Sequence, residues 1–177
     1  MSNWNKVFKP IVVLVLICIV ITGALAATNS VTAPIIEAAT IAAENAARTE
    51  LLPEAEGAFT EVEGVAVENV SAVYTADNGT GTVITSSAKG YGGDVVVMTA
   101  FNPDGTIKQI KVTQATETQG IGSKVVNDAS FWTRYQGLPA EPLVLGEDVD
   151  ALSGATVSSR ALTNAVNAAI EAYNQIP

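Results

Sequence analysis

The sequence predicts an α+β domain, with a mostly antiparallel sheet and packing helices, carried behind a single N-terminal transmembrane helix. Three observations support this. Residues 11–27 are uncharged and almost wholly apolar, four strand-like runs follow between turn signals, and the chain closes on an amphipathic helix that opens at Thr156. At 177 residues the chain is long enough for one soluble core plus an anchor and too short for several domains.

As a helix the first run rises roughly 25 Å, near the lower limit for a hydrocarbon core of about 30 Å, and Trp4 and Phe8 extend its apolar end. A span over 11–28 is expected, with 1–10 as a cytoplasmic N-terminus. Ala24-Leu25-Ala26 has the small-x-small pattern of a cleavage site behind the basic Lys6 and Lys9, so a cleaved signal peptide is the competing reading. A buried core helix is disfavoured, because the run is apolar on every face. Lys6 and Lys9 are the only charges before the run, and the next basic residue is Arg48. The positive-inside rule then predicts a single-pass protein of the cell (inner) membrane, N-terminus inside and the remainder extracytoplasmic.

Val31-Thr32-Ala33-Pro34 reads as a helix start, and the alanine-rich run 35–52 ahead of Pro53 continues it, giving a helical connector over 29–55. The exterior domain is expected over 56–177. Its strands are predicted at 66–74, 82–88, 95–101 and 106–112. Asn102-Pro103-Asp104-Gly105 is a strong turn signal that makes the last two a hairpin, and Asp77-Asn78-Gly79 marks another turn. In the closing helix, Val157, Ala161, Ala165, Val166, Ala169, Ala172 and Tyr173 recur at the three-and-four spacing of a core-facing stripe.

Composition removes several function classes. Nine basic residues stand against 18 acidic ones, and two of the nine precede the span, so the exterior part is strongly acidic and a nucleic-acid role is disfavoured. The single cysteine, Cys18, lies in the span, and there is no histidine. The exterior domain therefore lacks a disulfide, thiolate or imidazole metal ligands, and the Ser-His-Asp or Cys-His machinery of nucleophilic catalysis. Cys18 reads as a small packing residue or, alternatively, as a contact to a cofactor held between membrane subunits. Chemistry outside the membrane has to be brought in.

The place to bring it is the start of the last helix. Ser153, Gly154, Ala155 and Thr156 are small or hydroxyl residues where a cap belongs, and unpaired N–H groups at the positive end of the helix dipole favour an anion there. An ordinary N-cap is the plain alternative.

Asp150-Ala151-Leu152-Ser153-Gly154-Ala155-Thr156 resembles the Asp-x-x-Ser-Gly-Ala-Thr signature of the FMN-binding domain found in the G subunit of the Rnf complex and the C subunit of sodium-pumping NADH:quinone reductase. Upstream, Glu117-Thr118-Gln119-Gly120-Ile121-Gly122-Ser123-Lys124 is similar to the family's Glu-Thr-Pro-Gly-Leu-Gly-x-Lys loop. Lys89-Gly90-Tyr91-Gly92-Gly93 looks like its Gly-Tyr-Gly-Gly turn, and the segment 131–137, Phe-Trp-Thr-Arg-Tyr-Gln-Gly, also resembles a family segment. The order agrees along the chain. Two departures stand out: Gln119 replaces the family's proline, and the histidine that usually precedes the loop is missing.

The resemblance implies FMN joined by a phosphodiester to the Thr156 hydroxyl, installed from FAD by a flavin transferase that reads the motif. It further implies cofactor-binding roles for Ser153, Gly154, Ala155, Glu117, Thr118, Gly120, Ile121, Gly122 and Lys124. The glycines would bring backbone donors near the ring or phosphate, and Lys124 would offset negative charge; a plain glycine turn with a solvated lysine is the alternative. The expected function is electron relay in an Rnf-type, ion-translocating ferredoxin:NAD oxidoreductase complex. The expected partners are its other membrane and peripheral subunits, a second covalent-flavin subunit among them, and the lipid bilayer. The C subunit of the quinone reductase, another exterior flavoprotein, and an unmodified scaffold subunit with Thr156 as a helix cap are the other readings.

Overall fold

The computed structural model describes residues 8–117, 120 and 122–176. The chain forms two compact units, residues 1–43 and 44–177.

The described part of the first unit is helical. Helix α1 runs Lys9–Leu51 and is long and apolar enough to cross a membrane. The helix start expected at Val31-Thr32-Ala33-Pro34 is not one, because Pro34 lies inside α1. The same residue signals a start or an interruption, and what decides is whether a helix already precedes it. Here one does, and Thr28, Ser30, Thr32 and Thr40 turn their hydroxyls back onto carbonyls three or four residues earlier, so they add no competing cap. The helix stops at Leu51, just ahead of Leu52-Pro53, where the residue before a proline is driven out of helical geometry.

The second unit takes in the last turns of α1 and an antiparallel sheet. Strands β1 Phe59–Glu61, β2 Val70–Ala76, β3 Thr82–Lys89, β4 Asp94–Phe101 and β5 Ile107–Ala115 pair in sequence order, each antiparallel to the next. The turn at 102–105 closes as expected: Gly105 takes φ +81°, Asn102 N–H reaches Thr106 C=O at 2.8 Å, and Asp104 accepts from both the N–H and the hydroxyl of Thr106. Strand β1 has three residues and little apolar content, so no alternation announces it. The strand expected from residue 66 begins at Val70, after Asn69 in the left-handed region.

Helices α2 Ser123–Val126, α3 Ala129–Trp132 and α4 Thr156–Tyr173 follow. Alternation along the strands feeds two cores. On one face Ile84, Val97, Phe101, Ile107 and Ile110 meet Ala161, Leu162, Ala165, Val166, Ala169 and Ile170 of α4. On the other, Val83, Met98 and Ala100 meet Ala47, Leu51 and Leu52 at the end of α1. Alanines at 161, 165 and 169 let α4 lie close enough for the buried Ser86 hydroxyl of β3 to donate to Ala165 C=O at 2.7 Å.

Val157 departs from the expected stripe. It is 50% exposed while Ala161, Ala165, Val166, Ala169 and Ala172 are buried, because the buried stripe enters the first turn of α4 through Ser158 and Ser159 instead.

Candidate functional site

The turn between β3 and β4, the exit of β5 and the first turn of α4 meet at one end of the sheet. Register explains the meeting. Lys89 pairs with Asp94 and Val95 with Ala115, so the turn 90–93 lies beside Thr116 and Glu117. The approach is close enough that a Cβ on Gly92 would stand 2.0 Å from the Thr116 carbonyl oxygen, which glycine alone avoids.

The start of α4 is built by its loop. Gly154 at φ +81° turns the chain so that Ala155 N–H bonds Leu152 C=O at 2.9 Å, and Leu152 N–H donates to the Ser159 hydroxyl at 3.1 Å. Ala155, only 4% exposed, is the N-cap, and its carbonyl accepts the first helical bond from Ser159 N–H. Thr156 is thus the first helical residue, not the cap, and no side-chain cap bond forms. Its side chain is exposed. The N–H groups of Thr156, Val157 and Ser158 precede that first helical bond and are the orphan donors of a helix start.

A cleft of about 430 Å³ opens here, lined by Tyr91, Glu117, Gly122, Gly154, Ala155, Thr156, Val157 and Ser158, within the range of about 300–1,000 Å³ usual for small-molecule sites. Two apolar side chains are unusually open on its wall, Tyr91 at 75% and Val157 at 50% exposure. Among the described residues of the lining, Glu117 is the single charged one. Its Oε1 accepts from Tyr91 N–H at 2.9 Å and Gly92 N–H at 3.4 Å, and its Oε2 accepts from the buried Ser158 hydroxyl at 2.7 Å.

Of the residues expected from sequence, Glu117, Gly122, Gly154, Ala155 and Thr156 therefore share one cleft. Ser153 is exposed in the turn before it, and Lys124 is exposed on α2; neither is among the cleft-lining residues. Gly120, at φ +88°, donates its N–H to the Ser123 hydroxyl at 2.9 Å. Thr118 and Ile121 lie outside the described residues. Sequence reasoning missed Ser158 and the lining role of Val157. The signal for Ser158 was a second hydroxyl two places after Thr156, but helix periodicity alone cannot distinguish a hydroxyl that meets a carboxylate from one in solvent.

The segment 131–137 braces this end from behind. Arg134 Nη1 donates to Asp150 C=O at 3.0 Å, at the head of the loop that leads into α4. The Tyr135 hydroxyl, buried, meets Thr163 Oγ1 of α4 at 2.9 Å. Burial pushes the Tyr135 phenol up to about 12, against the smaller opposing effect of the Thr163 hydrogen bond.

Residues 90–171, which contain the turn, the Glu117 loop and α4 almost to its end, match the FMN-binding domain family. The chain is 32% identical to the G subunit of the Na(+)-translocating ferredoxin:NAD(+) oxidoreductase complex of Acetobacterium woodii, with 98% of this chain and 95% of that protein covered. It is 27% identical to the G subunit of the proton-translocating ferredoxin:NAD(+) oxidoreductase complex of Clostridium ljungdahlii, over 96% of this chain and 93% of that one. The crystal structure of Shewanella oneidensis NqrC is similar at a TM-score of 0.49 and 23% identity, covering 67% of this chain and 68% of that one.

Proposed function

The chain belongs to the family of G subunits of ion-translocating ferredoxin:NAD(+) oxidoreductase complexes, and from that premise we propose that it relays electrons through FMN held covalently on Thr156. The observation that carries this is the position of Thr156: an exposed hydroxyl at the first position of α4, on the rim of a cleft that bares Tyr91 and Val157.

The residues present fit the group. A flat, largely apolar ring matches the open faces of Tyr91 and Val157, and a phosphodiester on Thr156 sits beside the orphan N–H groups and the positive end of the α4 dipole. Gly154 has open space where a side chain would stand, so the loop does not crowd the attachment point. Ser153, Gly120 and Lys124 are assigned to the surroundings of the site, with Lys124 supplying long-range positive charge. Thr118 and Ile121 belong to the same loop by sequence. When bound, FMN supplies the one- and two-electron chemistry that an exterior domain without cysteine or histidine lacks. The covalent bond keeps the cofactor from being lost to the medium.

The span is assigned to 11–28, the connector to 29–55 and the flavin domain to 56–177, with 1–10 in the cytoplasm and the domain on the far side of the cell membrane, following the lysines at 6 and 9. The partners are the other subunits of the complex, including a second subunit with covalent flavin, and a flavin transferase during maturation.

Peptide mass spectrometry tests the attachment. In chain made by cells that contain the transferase, the peptide holding Thr156 should carry the mass of FMN less one water, and Thr156→Ala should abolish it together with the yellow colour that survives denaturation. An unmodified Thr156 peptide from such cells would leave the chain a scaffold.

A further inference from the structure

Glu117 looks like a ligand because it is the charged residue of the cleft, yet its two oxygens are already engaged by three donors from two separate elements. Oε1 holds the N–H groups of Tyr91 and Gly92 in the β3–β4 turn, and Oε2 holds the Ser158 hydroxyl in the first turn of α4. The carboxylate occupies the space where side chains on two neighbouring glycines would stand. A Cβ on Gly90 would stand 2.0 Å from Oε1, and one on Gly122 would stand 2.3 Å from Oε2 and 2.6 Å from Ser158 Oγ. Two glycines from different segments are thus shaped to the carboxylate, and it joins the turn that carries Tyr91 to the helix that carries Thr156.

We propose that Glu117 is a positioning residue that clamps the Tyr91 turn onto the first turn of α4 and so fixes the wall against which the flavin ring rests. The proposal rests on the assignment of FMN to Thr156 for its effect on the ring, but the clamp itself is a property of the chain alone. Charge-assisted bonds to backbone N–H are roughly twice as strong as neutral ones, and removing the acceptor leaves Ser158, 3% exposed, without its partner. The turn then keeps the Gly90 N–H to Gly93 C=O bond, 2.8 Å, and the flanking Lys89–Asp94 pairing to hold its shape.

Glutamine can replace this clamp where alanine cannot. Its carbonyl oxygen accepts from Tyr91 and Gly92, and its amide donates to the Ser158 oxygen, whose hydroxyl hydrogen rotates away. Glu117→Gln therefore separates geometry from charge.

The experiment compares the full chain in detergent as wild type, Glu117→Gln, Glu117→Ala and Gly122→Ala. Two readouts are taken: amide hydrogen exchange at residues 91 and 92, and quenching of flavin fluorescence by iodide. Glu117→Ala and Gly122→Ala should exchange at 91 and 92 roughly tenfold faster, the scale of losing one charge-assisted bond, and should open the flavin to iodide. Glu117→Gln keeps the geometry with neutral bonds, so it should exchange at 91 and 92 at a rate between wild type and Glu117→Ala and shield the flavin from iodide as wild type does. Unchanged exchange in Glu117→Ala would overturn the clamp. Faster exchange with unchanged quenching would reduce Glu117 to a local structural bond, and a Glu117→Gln variant as impaired as alanine would put its charge, not its geometry, in control. If wild-type Thr156 carries no flavin, the attachment fails separately, and exchange at 91 and 92 still decides whether the clamp exists.

Discussion

A threonine at the first helical position, rather than at the cap, has its hydroxyl to spare. Ala155 closes the start of α4, so Thr156→Ala removes no cap bond, and alanine is the better helix former. The variant should unfold within about 0.5 kcal/mol of the unmodified wild-type chain, as expected of a surface substitution, while losing all covalent flavin; denaturant titration of both apo chains checks this. Tyr135 makes the opposite kind of prediction. Its phenol is raised to about 12 in the folded chain, so the stability it contributes is fully present below the unfolded value near 10. That contribution is lost as pH climbs from there through about 12, because the unfolded chain ionises first. The gap in denaturation midpoint between wild type and Tyr135→Phe should therefore narrow over that window and stay constant below it.

At the scale of elements, the end of α1 is sealed by the sheet rather than by a cap of its own. Gln109 of β5 donates to the carbonyls of Glu50 and Leu51 at 3.1 and 2.8 Å, and the buried Arg48 guanidinium stacks 3.7 Å over the Tyr74 ring. Leu52 is wholly buried in the core on that face, so Leu52→Ala should cost about 2–5 kcal/mol. The Lys111–Glu50 ion pair joins the same elements and Lys108–Glu54 ties β5 to the turn just after α1, but their carboxylates are largely in solvent and such pairs add little. Glu54→Gln should leave the thermal midpoint where it was. These elements differ in how readily sequence reveals them. Strands β3 to β5 and α4 were legible because alternation, an Asn-Pro-Asp-Gly turn and a long three-and-four stripe agree with one another. Strand β1 was not, since three residues cannot show a period, and Pro34 misled because one residue serves as both a start and an interruption. The site divided in the same way: the Asp150–Thr156 motif is contiguous and readable, whereas the bond from Ser158 to Glu117 spans 41 positions and depends on register.

Across the whole molecule, charge and hydropathy separate cleanly. The uncharged run lies before residue 28 and all 18 acidic residues lie after it, so the part that follows the run is repelled by anionic headgroups. Protease added to intact spheroplasts should digest the acidic part and spare an epitope placed at the N-terminus; protection of the acidic part would reverse the assigned orientation.

Every strand of the sheet pairs with its neighbour in sequence, while the helix that covers one of its faces comes last. A nascent chain therefore completes its meander before residue 156 has left the ribosome, and Ile84, Val97, Phe101 and Ile107 wait uncovered in the interval. Chains stopped at residue 155 should aggregate through that bare face. Any full-length molecule that stays dispersed has already docked its final helix over that face.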